Sequence, residues 1–138
     1  MIETILAACL YVTMPTPADM TEYRECRETN YVVYFVEQWL PTIQSYFKDE
    51  DVIRAAKVIY CESSGRPTVI GVNKDGTHDV GLWQFNDNTW TWLKSKLGIM
   101  GERTNPEVAT RYAAWLVYND GWHHWNSSKK CWKGTNNE

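Results

Sequence analysis

This sequence lacks any strong excess of positive charge. Its 138 residues carry 14 Lys and Arg against 17 Asp and Glu, a net charge of -3. Residues 1–60 hold 5 basic and 9 acidic groups and residues 61–138 hold 9 and 8. Neither half can build the basic surface needed to neutralise a phosphate backbone, so nucleic acid is not an expected partner. Long uncharged apolar runs are missing as well, which argues against a spanning helix and against stable membrane insertion. No internal repeat and no linker rich in Pro, Gly and Ser interrupts the chain. One domain is expected, with an aromatic content of 14% that is incompatible with disorder.

The apolar run at 5–14 is preceded by Glu3 and by no Lys or Arg, so the positive start of a secretory signal is missing. Leu6-Ala7-Ala8-Cys9 has the look of a lipoprotein cleavage box, but too little apolar chain precedes it. The four cysteines form no C-x-x-C pair, so neither a zinc ribbon nor a thioredoxin-like site is supported. Three pairings remain open. A Cys61–Cys131 bridge would pin the chain's end to a helix, contributing about 3–4 kcal/mol for so long a loop and implying an oxidising compartment.

What is present reads mostly as helix. Asp19–Glu28 is polar and helical, Tyr31–Leu40 is apolar, and Pro41 begins a further segment to about Lys48. Asp49, Glu50 and Asp51 place negative charge where a helix start favours it, and Val52, Ala55, Ile59 and Glu62 then recur at steps of 3, 4 and 3. Ser64-Gly65 and Pro67 end that helix, leaving Glu62 in its last turn. Asp75-Gly76 predicts a turn within a short hairpin. Asp87 is expected to cap a helix ending at Gly98, and Asn105-Pro106 to start another ending near Gly121. The fold class expected is α+β, helical with one small sheet.

Seven of the eight tryptophans fall after residue 82. Most should be core, but such a cluster suits a core that opens onto a ligand groove, with Trp90 and Trp125 as candidate contacts. The chemistry points to Glu62. A carboxyl on an apolar stripe loses hydration, and the negative end of the helix dipole acts in the same sense, so its pKa is expected to rise. A carboxylic acid still protonated near neutrality can protonate a glycosidic oxygen. Asp79, seventeen residues on and across the hairpin, is the second carboxylate that such a cleavage uses.

Three runs carry a family likeness: Glu62-Ser63-Ser64-Gly65-Arg66-Pro67, Asn73-Lys74-Asp75-Gly76-Thr77-His78-Asp79 and Gly81-Leu82-Trp83-Gln84-Phe85-Asn86, followed by Tyr118-Asn119-x-Gly121. Together they resemble the lysozyme-like superfamily. The first and last are similar to soluble lytic transglycosylase domains, and the two runs between them, read together from Asn73 to Asn86, are similar to chicken-type lysozymes. The likeness covers about residues 50–132, leaving 1–48 as an N-terminal helical extension. It implies a helical lobe and a small β lobe bordering a cleft for peptidoglycan, cut at the β-1,4 bond between N-acetylmuramic acid and N-acetylglucosamine. Glu62 would be the acid and Asp79 the second carboxylate. Gln84, Phe85 and Asn86 would line the cleft floor and hold the N-acetyl group, Tyr118 and Asn119 would match the transglycosylase site, and Trp125 would pack on Glu62. Strict alternation puts Asp79 and Gln84 on opposite sheet faces, so an irregularity near Gly81 or Gly71 is required.

The expectation is therefore a monomeric muramidase that hydrolyses this bond, with Asp79 favouring hydrolysis. The alternative is a lytic transglycosylase forming 1,6-anhydro products, and a further one is a non-catalytic glycan-binding protein. A cell-wall enzyme would act in the periplasm, outside the cell or from a virion such as a bacteriophage's. No metal or cofactor is expected. Asn73-x-Asp75-Gly76 starts like a calcium loop but lacks the acidic twelfth residue. His123 and His124 are adjacent and on a helix could not both face one ion.

Overall fold

The computed structural model describes Cys9 and residues 16–133. Helix α1 spans Pro17–Val36 and runs unbroken from the polar Asp19–Glu28 stretch into the apolar one that begins at Tyr31. Thr16 and Asp19 form a reciprocal capping box at its start, with Pro17 in the first turn. A 3-10 turn at Glu37–Trp39 leads into α2, Leu40–Tyr46, and a second at Asp49–Asp51 into α3, Val52–Ser63.

Helix α3 buries Val52, Ala55, Ala56, Val58 and Ile59 and packs against α1, α2 and the C-terminal segment. It ends as its sequence predicts. Ser64 takes a left-handed conformation, and its N–H bonds the Tyr60 carbonyl at 2.9 Å. Gly65 follows with φ +77, and a side chain there would strike the Phe35 carbonyl of α1. The Trp39 indole donates to the Gly65 carbonyl at 2.7 Å, tying the α1–α2 connection to the same end of α3.

Three short strands follow, β1 Ile70–Val72, β2 His78–Val80 and β3 Phe85–Asn86, antiparallel in the order 1-2-3. The Asp75–Gly76 turn closes β1 onto β2, with Asp75 Oδ1 accepting from the Thr77 N–H at 2.9 Å. The expected irregularity is a turn at Gly81–Gln84, where the Gln84 N–H bonds the Gly81 carbonyl at 3.1 Å and Gln84 itself has φ +49. It re-aims the chain so that Asn86 pairs directly with Asp79.

Helix α4 spans Asp87–Leu97 and stops at left-handed Gly98. Its cap is Asn86, not Asp87 as expected: the Asn86 side chain accepts from the Asn88 N–H at 3.1 Å. Asp87 instead accepts from the His78 N–H at 2.9 Å and pairs with Arg103 at 2.8 Å, which holds its carboxyl below the usual range. Helix α5, Pro106–Asp120, has the expected Asn105 cap and Pro106 start. A 3-10 segment, Trp122–Ser128, and a last turn α6, Lys129–Trp132, complete the described chain.

The core is aromatic. Trp83 and Tyr112 are fully buried, Phe47 stacks on Trp83 at 5.6 Å between ring centres, and Trp125 packs on Trp83 at 5.3 Å. Two disulfides join Cys9 to Cys26 and Cys61 to Cys131. Cys9 is thus bonded through sulfur to α1, and that sulfur cannot also carry a lipid thioether. The remaining expectations for residues 5–14 fall outside the described residues.

Candidate active site

Glu62 sits half-buried in the last turn of α3. Desolvation raises its pKa first, and the negative charge of Asp79 raises it further. A hydrogen bond from the Ser128 hydroxyl to Oε1, at 2.6 Å, opposes both. Beside it, Ser63 is a tether. Its buried hydroxyl lies 3.0 Å from the Ile59 carbonyl and 2.9 Å from that of Leu82, fixing the end of α3 to the loop after β2.

Asp79 on β2 faces its ladder partner Asn86, whose amide donates to Oδ1 at 2.9 Å. The other amide hydrogen goes to Thr77 Oγ1 at 2.9 Å, and Thr77 in turn donates to Asp75 at 2.6 Å. The second carboxylate is therefore held by a network that begins in the hairpin turn. The fold brings Glu62 and Asp79 within Coulombic reach of each other, as the sequence suggested.

The other expected site residues lie in different surroundings. Phe85 and Trp90 are buried and 5.5 Å apart between ring centres, and Trp90 also meets Tyr112 at 4.5 Å, so both rings are core rather than sugar platforms. Trp90 Nε1 is buried without a hydrogen-bond partner among the described residues. Gln84 spends its amide hydrogens on the Val69 and Gly81 carbonyls, both at 3.0 Å, and Asn86 spends its own on Thr77 and Asp79. Neither amide nitrogen is left to donate to an N-acetyl group; both brace the strands that carry Asp79.

Trp125 is also core. Its indole donates to the Trp83 carbonyl at 3.0 Å, and its link to Glu62 runs through its own carbonyl, 3.2 Å from Ser128 Oγ. Tyr118 lies at the opposite end of α3. Its hydroxyl donates to Asp51 at 2.7 Å and accepts from the Lys48 N–H at 2.9 Å, and about 16 Å of helix rise separates Asp51 from Glu62. Local desolvation and the Asp51 carboxylate push the Tyr118 pKa up to about 12, which suits a structural phenol rather than a proton carrier. Asn119 is exposed and bonds the Trp115 carbonyl at 2.8 Å.

Ser128 is the site residue that the sequence reading missed. It lies 66 positions from Glu62, and the available signal was Cys131 three residues on: pairing it with Cys61 brings Ser128 beside Glu62. The two histidines also differ from expectation. They lie on a 3-10 segment, and both approach Asp120 Oδ2, His123 at 3.2 Å and His124 at 2.6 Å. All three are exposed. A cavity of about 830 Å³ lies along α1 and the Cys61–Cys131 bridge, lined by Tyr23, Arg27, Tyr31, Lys57 and Tyr60 among others, and Glu62 is not part of its wall.

Helices flanking a small three-stranded antiparallel sheet, with a desolvated glutamate at a helix end and an aspartate on the sheet, define a lysozyme-like fold. The sequence profile of the Transglycosylase SLT domain matches residues 43–128, more than half of the chain. The chain belongs to that family, and it is an enzyme of the lytic transglycosylase class, whose substrate is peptidoglycan. Helix α1 precedes the matched stretch. No curated protein and no solved structure matches the chain. Two disulfides on a cell-wall enzyme domain belong to an extracytoplasmic protein.

Proposed function

We propose that the protein is a lytic transglycosylase in which Glu62 serves first as acid and then as base. Protonated Glu62 gives its proton to the oxygen of the β-1,4 bond following N-acetylmuramic acid as that bond to the anomeric carbon breaks. The resulting carboxylate removes the proton of the same sugar's 6-hydroxyl, whose oxygen closes on the anomeric carbon. The product is a 1,6-anhydro ring, Glu62 regains its proton, and no water is consumed.

The observation that carries this reading is the state of Glu62: a half-buried carboxyl, raised in pKa by desolvation and by the like charge of Asp79, and hydrogen-bonded by the Ser128 hydroxyl. Family membership supports the transglycosylase outcome over the hydrolysis that Asp79 alone suggested. Hydrolysis remains the second reading because of one specific observation: Asp79 is braced by Asn86 opposite the acid, as a residue stabilising a cationic carbon would be.

Mass spectrometry of the fragments released from purified peptidoglycan tests the proposal. Transglycosylation leaves the summed product mass equal to that of the substrate, with anhydromuramic ends. A gain of one water per cut would overturn it in favour of hydrolysis.

A further inference from the structure

Ser128 occupies the N-cap position of α6, where a serine hydroxyl ordinarily bonds the N–H groups of the first helical turn. Here it makes no such bond. Its hydroxyl is turned instead to Glu62 Oε1 at 2.6 Å, with the Trp125 carbonyl a longer neighbour at 3.2 Å. That carbonyl also receives the Trp132 indole N–H at 3.0 Å, and Ser128's one proton is directed to Glu62 by the much shorter contact. The two segments are also joined covalently. Cys61 immediately precedes Glu62, and Cys131 follows Ser128 by three residues, so the disulfide holds hydroxyl and carboxyl in register.

We propose that Ser128 is the positioning residue of the acid: by donating to Oε1 it reserves that oxygen as acceptor, leaves Oε2 to carry the transferable proton, and strengthens its bond as negative charge develops on the carboxylate. This rests on the reading of Glu62 as the acid. In the protonated state Oε1 is the carbonyl oxygen and accepts a neutral hydrogen bond. When the proton on Oε2 passes to the glycosidic oxygen, both oxygens share the charge, and the bond from Ser128 becomes charge-assisted. An interaction stronger after proton transfer than before it lowers the barrier.

The charged or titratable groups on the elements packed against α3 include Arg27 and Glu28 on α1, His123 and His124 in the 3-10 segment, and Lys129 and Lys130 on α6. Among the described residues, the charge that acts on Glu62 is that of Asp79 on the facing sheet. Removing the Ser128 hydroxyl therefore leaves desolvation and Asp79 unopposed, and both favour the neutral acid.

The test is the pH dependence of peptidoglycan turnover by the full-length, disulfide-bonded protein, comparing the parent with Ser128→Ala, Ser128→Thr and Glu62→Gln. Ser128→Ala is expected to lower turnover at the optimum by about 10- to 100-fold, the worth of a hydrogen bond to a charged group. It should also move the basic limb of the profile to higher pH, and Ser128→Thr should restore both. A Ser128→Ala basic limb at the parent's position, whatever the rate, would overturn the proposal and leave the serine as packing alone. Full turnover by Glu62→Gln would instead remove the underlying acid assignment. Should the alanine variant fail to fold, Ser128→Gly removes the same hydroxyl without placing a methyl against the carboxylate, and is judged by the same limb.

Discussion

Asn86 donates one amide hydrogen to Asp79 across the β2–β3 ladder at 2.9 Å while its own carbonyl oxygen caps α4. One side chain thus fixes both the second carboxylate and the start of the next helix. The charge it steadies acts on Glu62 rather than standing apart from it. Asp79→Asn removes that like charge, so Glu62 loses its proton more readily and the basic limb of the pH–rate profile moves to lower pH. Turnover with anhydro products should largely survive, because a sugar that traps its own cation does not require a second carboxylate. Collapse of turnover in this variant would favour the hydrolytic reading.

Glu62 also has a stability signature. Its folded pKa lies above the ordinary glutamate value of 4.5. Between those two values the unfolded chain has released its Glu62 proton and the folded one has not, so the Glu62 contribution to stability falls as pH rises through that window and is level on either side. Glu62→Gln cannot titrate. Urea denaturation of the two proteins should give a difference that grows in favour of the glutamine variant above pH 4.5 and then levels off. A difference independent of pH would mean that the carboxyl is not perturbed by folding.

The Cys61–Cys131 bridge closes a loop of separation 70, against 17 for Cys9–Cys26. Opening the longer loop should cost about 4 kcal/mol and the shorter about 3 kcal/mol in the chain-entropy description. Denaturation of the Cys61→Ser/Cys131→Ser double variant measures the first. Turnover should fall with it, because the same bridge holds Ser128 against Glu62.

Gly81 carries a sharper structural constraint. It has φ +89, and a side chain would meet the Arg103 carbonyl oxygen inside contact distance. The obstructing atom is backbone, not the far end of a flexible side chain, and the Arg103 guanidinium further ties that residue to the Phe85 carbonyl at 2.9 Å and to Asp87 at 2.8 Å. Gly81→Ala should destabilise the fold by about 2 kcal/mol or more. Gly76→Ala, also at positive φ but with nothing near the added carbon, should cost less. Equal thermal stabilities would contradict the crowding described at Gly81.

Local chemistry made much of this architecture legible in advance. The Asn105-Pro106 start of α5, the Asp75-Gly76 turn and the Ser64-Gly65 stop after Glu62 are each decided by residues adjacent in sequence. Periodicity alone marked Glu62, because a carboxylate on an apolar stripe is anomalous wherever the stripe packs. Long-range bonds were not legible. Gln84 and Asn86 fit a substrate-binding motif, yet their amides are spent on backbone and neighbouring side chains, and sequence carries no record of which partner wins. Tyr118 matches a site motif but is drawn to Asp51 at the far end of α3. Asp87 lost the cap to Asn86 because His78 and Arg103 competed for its carboxylate.

The central claim is that Glu62 transfers the proton. Release of soluble fragments from purified peptidoglycan, measured for the parent and for a Glu62→Gln protein shown to be folded and fully disulfide-bonded, tests it most directly. The account predicts a loss of about 10²- to 10⁴-fold in rate, the usual contribution of a general acid. Release at the parent's rate by the glutamine protein would contradict it.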